Sequence, residues 1–290
     1  MSEPTTGANV IFAPAEFQRQ CVAWQRMGQR VGMVPTMGAL HEGHLSLVRL
    51  CRQYCDRVVV SIFVNPTQFG PGEDFERYPR TLESDVAALA GVGVDAVLAP
   101  APRDMYGPGF STIVQPASLA RTLEGAFRPS HYQGVTTVVA KLLNLARADV
   151  AIFGQKDYQQ LAVIRQMVRE LNMPTEILMG PTCRETDGLA MSSRNRYLSS
   201  EERQRALSIS RALFRCRDRV AKGERDARDL ATDLMQELID GGLDSIDYAV
   251  IADGQSLASL DQVAAGAVAL VAGHVGKTRL IDNVILDPAS

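Results

Sequence analysis

Short apolar runs alternate with stretches of helical periodicity between residues 30 and 179, and that alternation predicts the architecture. Strands are expected at residues 30–34, 57–64, 95–98, 150–153 and 175–179. Between them, apolar positions recur at the three-to-four-residue spacing of amphipathic helices, one running to Tyr54 and others at residues 82–90, 135–146 and 158–171. Strand and helix in strict succession imply an α/β fold, a Rossmann-like doubly wound parallel sheet whose ligand crevice lies at the carboxyl ends of the strands. The segments after Val34, Val64 and Phe153 all start at such ends.

Beyond Gly180 and Pro181 the texture changes to a polar stretch, two helical patterns at residues 199–220 and 226–239, and three late strands at 244–251, 267–271 and 278–282. The reading is a Rossmann-like domain over residues 1–182 followed by a smaller C-terminal α+β domain over residues 183–290.

The richest segment is Pro35-Thr36-Met37-Gly38-Ala39-Leu40-His41-Glu42-Gly43-His44, which leaves a strand and opens a helix. At a helix start the unpaired N–H groups and the positive dipole end favour phosphate. Gly38 suits the turn, Gly43 admits a base or phosphate close to the backbone, and His41 and His44 share a helix face and can donate to one ligand. A plain cap or surface role for the histidines remains the alternative. A helical zinc-protease motif is excluded, since its histidines stand four apart rather than three. His131 and His274 stand alone in sequence.

Three further segments carry chemistry. Gly154-Gln155-Lys156-Asp157 follows a strand, and Lys156 at a helix start makes better sense facing an anion than facing the dipole alone, whereas Asp157 can be only an N-cap. Gln160 lies one turn on, on the face of Asp157. Met191-Ser192-Ser193-Arg194 can grip a polyphosphate through two hydroxyls and a guanidinium, or serve merely as a cap or surface turn. Asn65-Pro66-Thr67-Gln68 leads into a Gly-Pro-Gly loop that reads either as a mobile lid or as an ordinary surface loop. Two decoys fall away. Gly276-Lys277-Thr278 lacks the first glycine of a phosphate loop, and Gly91-Val92-Gly93 precedes a strand where a dinucleotide fingerprint follows one.

Composition narrows the field. The chain has 290 residues, 46% of them apolar, and a net charge of −3, with no Lys/Arg run longer than two, so it lacks the electrostatic footprint of a nucleic-acid binder. No apolar run is long enough to span a bilayer. Five cysteines, an odd number without CxxC spacing, and a start without a basic-then-apolar signal read as a reduced cytoplasmic protein. Cys51 and Cys55, four apart, suit either a metal or redox pair or, more commonly, small core residues.

On these motifs the chain resembles the pantothenate synthetases, the pantoate–β-alanine ligases of the HIGH-type nucleotidyltransferase group. His41-Glu42-Gly43-His44 is the HxGH signature, and Met191 to Arg194 stand where relatives carry a KMSKS-like loop. Phe63-Val64-Asn65-Pro66-Thr67-Gln68-Phe69 and Phe153-Gly154-Gln155-Lys156-Asp157-Tyr158-Gln159-Gln160 narrow the likeness, which runs over residues 33–198 and returns at 278–283. The resemblance implies an AMP-forming ligase that joins pantoate to β-alanine through a pantoyl adenylate, with ATP as substrate, Mg²⁺ as cofactor, a homodimeric assembly and a C-terminal domain that closes over the site. It implies that Met37, Gly38, Ala39, Leu40, His41, Glu42, Gly43, His44, Gly154, Gln155, Lys156, Asp157, Cys183, Met191, Ser192, Ser193 and Arg194 line the ATP site. His44 would be the catalytic histidine, helped by His41, Lys156, Ser192, Ser193 and Arg194, while Gln68 and Gln160 would hold pantoate and Gln68 would border β-alanine. Some positions depart from the usual pattern: Gln155 replaces a frequent Glu, Cys183 a frequent Val, and around Ser84, Asp85 and Ala88 only Asp85 retains a carboxylate of a cluster sometimes linked to magnesium. No protein ligand is therefore assigned to the metal. Other nucleotidyltransferases of the superfamily, and a non-catalytic ATP-binding sensor, are the competing readings.

Overall fold

The structure of the protein, a computed structural model, describes residues 8–287; residues 1–7 and 288–290, which the sequence-based domain limits include, lie outside the described residues. The chain divides into two compact units, interleaved along the sequence. The first takes the described residues up to Ala117, then Arg128–Gly154 and Val163–Gly180. The second takes Ser118–Phe127, Gln155–Ala162 and the chain from Pro181 onward.

The first unit is built on a six-stranded parallel sheet: β1 (Asn9–Ile11), β2 (Val31–Thr36), β3 (Arg57–Ile62), β4 (Ala96–Leu98), β5 (Val150–Gly154) and β6 (Glu176–Gly180), in the order β1-β4-β3-β2-β5-β6. Every pair is parallel, with Val31 opposite Arg57 and Thr36 opposite Ile62. Strand order reverses between β2 and β5, and a doubly wound sheet opens its ligand crevice at such a point, beyond the strands' carboxyl ends. The helices are α1 (Pro14–Arg26), α2 (Glu42–Arg52), α3 (Leu82–Ala90), the single turn α4 (Pro102–Met105) and α6 (His131–Ala146).

Both faces of the sheet are covered, and the strand period shows it. Val34, Val58, Val60 and Ile152 pack under Leu47 and Val48 of α2 and Leu89 of α3, while Met33, Val59 and Ala151, one residue out of phase, are equally buried. α1 packs along α6. Each such large apolar side chain, Leu89 or Phe17 for example, contributes about 1.5–3 kcal/mol by leaving water. Gly32, mid-strand in β2, has no side chain because two sulfurs fill its place: a Cβ there would lie 2.3 Å from Cys51 Sγ and 2.7 Å from Cys55 Sγ. Both cysteines are free and buried, which supports the core reading of the pair.

The second unit contains an antiparallel sheet in the order β7 (Ser245–Asp253), β8 (Ala267–Val275), β9 (Thr278–Leu286), with helices α8 (Ser200–Ala221) and α9 (Ala227–Asp240). A capping box opens α8, where Ser199 Oγ accepts from the N–H of Glu202 at 3.2 Å and the Glu202 carboxylate accepts from the N–H of Ser199 at 2.8 Å. Asp226 accepts from two backbone N–H groups at the start of α9. Gly276 and Lys277, the phosphate-loop decoy, are simply the turn between β8 and β9.

Polar side chains explain why two short, distant segments belong to this unit. Buried Glu124, on the single turn α5 (Glu124–Phe127), receives two guanidinium N–H groups of Arg279 at 2.7 and 2.6 Å and the hydroxyl of Tyr248 at 2.8 Å. Burial and the Glu124 charge push the Tyr248 phenol well above its usual range, so it stays a donor. Gln159, on α7 (Tyr158–Glu170), donates to the carbonyls of Leu119 and Thr122, both at 2.7 Å, and accepts from the N–H of Glu124.

Candidate active site

β2 ends at Thr36, whose hydroxyl donates to Ser61 O at 2.6 Å and accepts from Gly38 N–H at 3.2 Å, so the chain is steered as it leaves the sheet. Gly38 then takes φ +82°, and Ala39 takes φ +50°, a left-handed conformation that costs an L side chain about 1–2 kcal/mol. What holds the turn is Asp85, in the first turn of α3 and 3% exposed. Its Oδ2 accepts from Ala39 N–H at 2.9 Å and from the Thr81 hydroxyl at 3.1 Å, and its Oδ1 accepts from Leu40 N–H at 2.8 Å.

The turn delivers His41 to the N-cap of α2 and His44 to its first turn. His44 Nδ1 accepts from His41 N–H at 3.3 Å, which puts the proton of the neutral ring on Nε2 and makes Nε2 the donor. The rings lie with centroids 4.1 Å apart, neighbours as the three-residue spacing on a helix brings them.

After β3 the chain makes a one-turn 3-10 helix, Pro66–Gln68. Asn65, 1% exposed, organises it: the side-chain oxygen accepts from Thr67 N–H, the Thr67 hydroxyl and the Tyr106 hydroxyl, and the amide donates to Gln68 Oε1 at 3.1 Å and Gly134 O at 3.2 Å. Gln68 Nε2 lies 3.0 Å from Met37 Sδ, bringing two of the sequence-identified residues together. His131, which looked isolated in the sequence, is buried here, its Nδ1 2.9 Å from Gln68 O. Arg128 donates toward His131 Nε2 and to the same carbonyl, and grips Glu73 with two bonds at 2.8 and 2.5 Å. Burial alone would raise the Glu73 pKa; the Arg128 hydrogen bonds and charge outweigh it and hold the carboxyl below its usual range. The Gly-Pro-Gly loop is thus tied at Glu73, and Phe69 packs on Phe75 and Tyr78 at centroid distances of 5.3 and 6.0 Å.

In the second unit, the 3-10 turn Gln155–Asp157 carries Lys156 and leads into α7, whose first turn holds half-buried Gln160. Asn283 of β9 clasps this turn, its amide donating to the carbonyls of Gln155 and Lys156, both at 2.9 Å, and its oxygen accepting from Gln155 Nε2 at 3.1 Å. The serine loop is the end of a hairpin in which Met191 N–H donates to Cys183 O at 2.9 Å. Arg184 pairs bidentately with Asp282 at 2.6 and 3.0 Å, and Arg203 bridges Glu185 and Asp187 at 2.7 and 2.6 Å. Ser192 caps the 3-10 turn Ser193–Tyr197 by accepting from Arg194 N–H at 3.3 Å, so the capping role open in the sequence is realised. Lys156 and Ser192, 36 residues apart, line one small cavity with Asp282.

The two sets of residues therefore sit on different units: Met37 to His44, Gln68 and Gly154 on the first, and Gln155, Lys156, Asp157, Gln160, Cys183 and Met191 to Arg194 on the second. Among the described residues no group of three or more His, Cys, Asp or Glu side chains is arranged to hold a metal.

Comparison with known proteins decides the family. The family model described as Pantoate-beta-alanine ligase matches residues 9–285. This chain belongs to the pantoate–β-alanine ligase family. It is 52% identical over 273 residues to a pantothenate synthetase of Moorella thermoacetica, covering 94% of this chain and 96% of that one. It also matches the crystal structure of the pantothenate synthetase of Thermus thermophilus with a TM-score of 0.91 at 46% identity, covering 97% of this chain and all of the other. A pantoate–β-alanine ligase of Francisella tularensis, solved in complex with β-γ ATP and β-alanine, matches with a TM-score of 0.78 at 33% identity, covering 96% and 97% of the two chains. The Rossmann-like parallel sheet and the small antiparallel sheet are the fold of these ligases.

Proposed function

We propose that the protein condenses pantoate with β-alanine at the expense of ATP, by way of a pantoyl adenylate. The observation that carries this reading is the histidine pair, rings 4.1 Å apart at the N-cap and in the first turn of α2, at the switch point of the sheet in a member of this ligase family. A carboxylate is a poor acylating agent, so it must be activated before an amine can displace it. Pantoate, held by Gln68 and Gln160, attacks the α-phosphorus, and pyrophosphate leaves. His44, donating from Nε2, with His41 and the N–H groups at the start of α2, offsets the charge that develops on the phosphoryl oxygens. Lys156, Ser192, Ser193 and Arg194 are assigned to the same triphosphate, where two hydroxyls and two cations match its oxygens. The β-alanine amine then attacks the mixed anhydride and AMP departs; no covalent enzyme nucleophile is needed. Magnesium enters with the nucleotide as MgATP, and no side chain of the protein is assigned to it. Among the described residues no helix is long and apolar enough to cross a membrane. A cytoplasmic location is proposed from the five free cysteines, and a homodimeric assembly from the family resemblance.

The test supplies pantoate labelled with ¹⁸O in its carboxyl group, with ATP and β-alanine. Label is expected in AMP; label appearing only in phosphate would replace the adenylate route with an acyl phosphate. His44→Ala and Lys156→Ala are each expected to cut adenylate formation more than tenfold with the fold intact, and near-normal turnover in both would remove their roles.

A further inference from the structure

We propose that Asp85 is a positioning residue for this reaction: its buried carboxylate presets the turn at Gly38, Ala39 and Leu40 and so aims the first turn of α2. The proposal rests on the reading that this turn and His44 meet the ATP phosphates. Three donors converge on the one carboxylate, the N–H groups of Ala39 and Leu40 and the Thr81 hydroxyl. The two N–H groups belong to successive residues, so the carboxylate fixes the peptide plane between them, immediately before His41. Ala39 is not a glycine yet stands at φ +50°, so its left-handed backbone is held from outside, and the carboxylate is what reaches it. A negative group near a triphosphate is unfavourable unless its charge is already spent. Here it is spent on two peptide dipoles and a hydroxyl, at the N-terminal turn of α3, where the helix also favours an anion.

A metal-ligand role would ask for something else. A single carboxylate can hold a nucleotide's Mg²⁺, but its oxygens must then face the metal, whereas both oxygens of Asp85 already accept from Ala39, Leu40 and Thr81. Pre-ordering matters because donors fixed before the substrate arrives need not be reorganised as charge develops.

The experiment compares Asp85→Asn with the parent enzyme by steady-state kinetics, thermal unfolding and a Mg²⁺ titration at fixed ATP. Asn keeps one acceptor oxygen and turns an NH₂ toward a backbone N–H, so kcat/KM for MgATP is expected to fall ten- to a hundredfold in folded protein, with the Mg²⁺ midpoint unchanged within twofold. A folded variant with parental ATP kinetics overturns the proposal. So does a Mg²⁺ midpoint shifted more than tenfold with full rate restored at saturating metal, which would make Asp85 a ligand. Should Asp85→Asn not fold, Thr81→Val removes one donor and leaves the carboxylate; a two- to fivefold loss in kcat/KM for MgATP at parental melting temperature and parental KM for pantoate is expected, and parental values throughout overturn the proposal. His44→Ala separates the two levels, since parental adenylate formation there sinks the phosphate-binding reading itself.

Discussion

The turns after β2 and β3 in the first unit and the serine hairpin of the second are held by different physics. In the first, the turns that leave β2 and β3 are fixed through their backbone by buried side chains: Asp85 on the N–H groups of Ala39 and Leu40, His131 on the carbonyl of Gln68, and Asn65 on the N–H of Thr67. In the second, the serine hairpin is fixed through ion pairs that range from mostly buried, Arg184 with Asp282, to partly wet, Arg203 with Glu185 and Asp187. Backbone clamps define where peptide groups point and are blind to salt; side-chain pairs act at a distance from the loop's tip and feel the solvent. The first arrangement suits the proposed task of presenting N–H groups and imidazoles at fixed angles, the second a loop whose reach is set by long side chains.

The contrast can be broken at its strongest point first. Asp282→Ala removes a 4% exposed carboxylate and leaves the Arg184 guanidinium, 17% exposed, with only the carbonyls of Gly188 and Asn283, and is expected to cost about 3 kcal/mol in chemical denaturation. If the cost is below about 1 kcal/mol, burial does not set the strength of this pair. Next, His131→Ala withdraws a buried donor from Gln68 O and is expected to cost about 1–3 kcal/mol and to raise KM for pantoate while leaving KM for ATP alone. A rise in both constants would mean the clamp serves the whole unit. Arg203→Ala, at 28% exposed, is expected to cost roughly 1 kcal/mol or less, and the loss should fade at about 1 M salt; a salt-independent loss contradicts the wet-pair description. Smallest is the pH effect at Glu73. Its folded pKa lies below the ordinary 4.5, so its contribution is complete above that value and disappears as pH falls through the lower, folded one. Limited proteolysis of the loop between Phe69 and Arg80 is expected to accelerate only on the acid side of 4.5, and Glu73→Gln should abolish that dependence.

Much of this was legible along the chain because strand and helix periods differ. α3 lies at Leu82–Ala90, matching its expected limits, and the six parallel strands include five read from apolar runs. The sixth, β1, is three residues long, and α1 hides its apolar stripe, Phe17, Cys21 and Trp24, among polar neighbours. α6 begins at His131, a turn before the apolar run that marked it, because that turn carries His131, Tyr132 and Gln133. β8 and β9 run on to Val275 and Leu286, four residues past their expected ends at 271 and 282, and in β8 Gly273 and His274 are paired on both sides. In the site, motifs exposed the loops but not their supports. His131 and Arg128 meet Gln68 across 63 and 60 residues, and Asn283 meets Gln155 across 128, so no local spacing announces them. Asp282 and Asn283 had a faint signal in the isolated stretch where the family likeness resumed.

The hollow above Gly32 makes three positions one unit of volume. Two sulfurs occupy what a methyl group at residue 32 would need, so Gly32→Ala alone collides with Cys51 and Cys55, while Cys51→Ala alone leaves an empty space in the sheet's centre. Replacing both cysteines by Ala together with Gly32→Ala exchanges one filling for another, and that triple variant should recover much of what Gly32→Ala alone loses. The pair of thiols is thereby a packing choice at the middle strand, replaceable without touching the chemistry at its end.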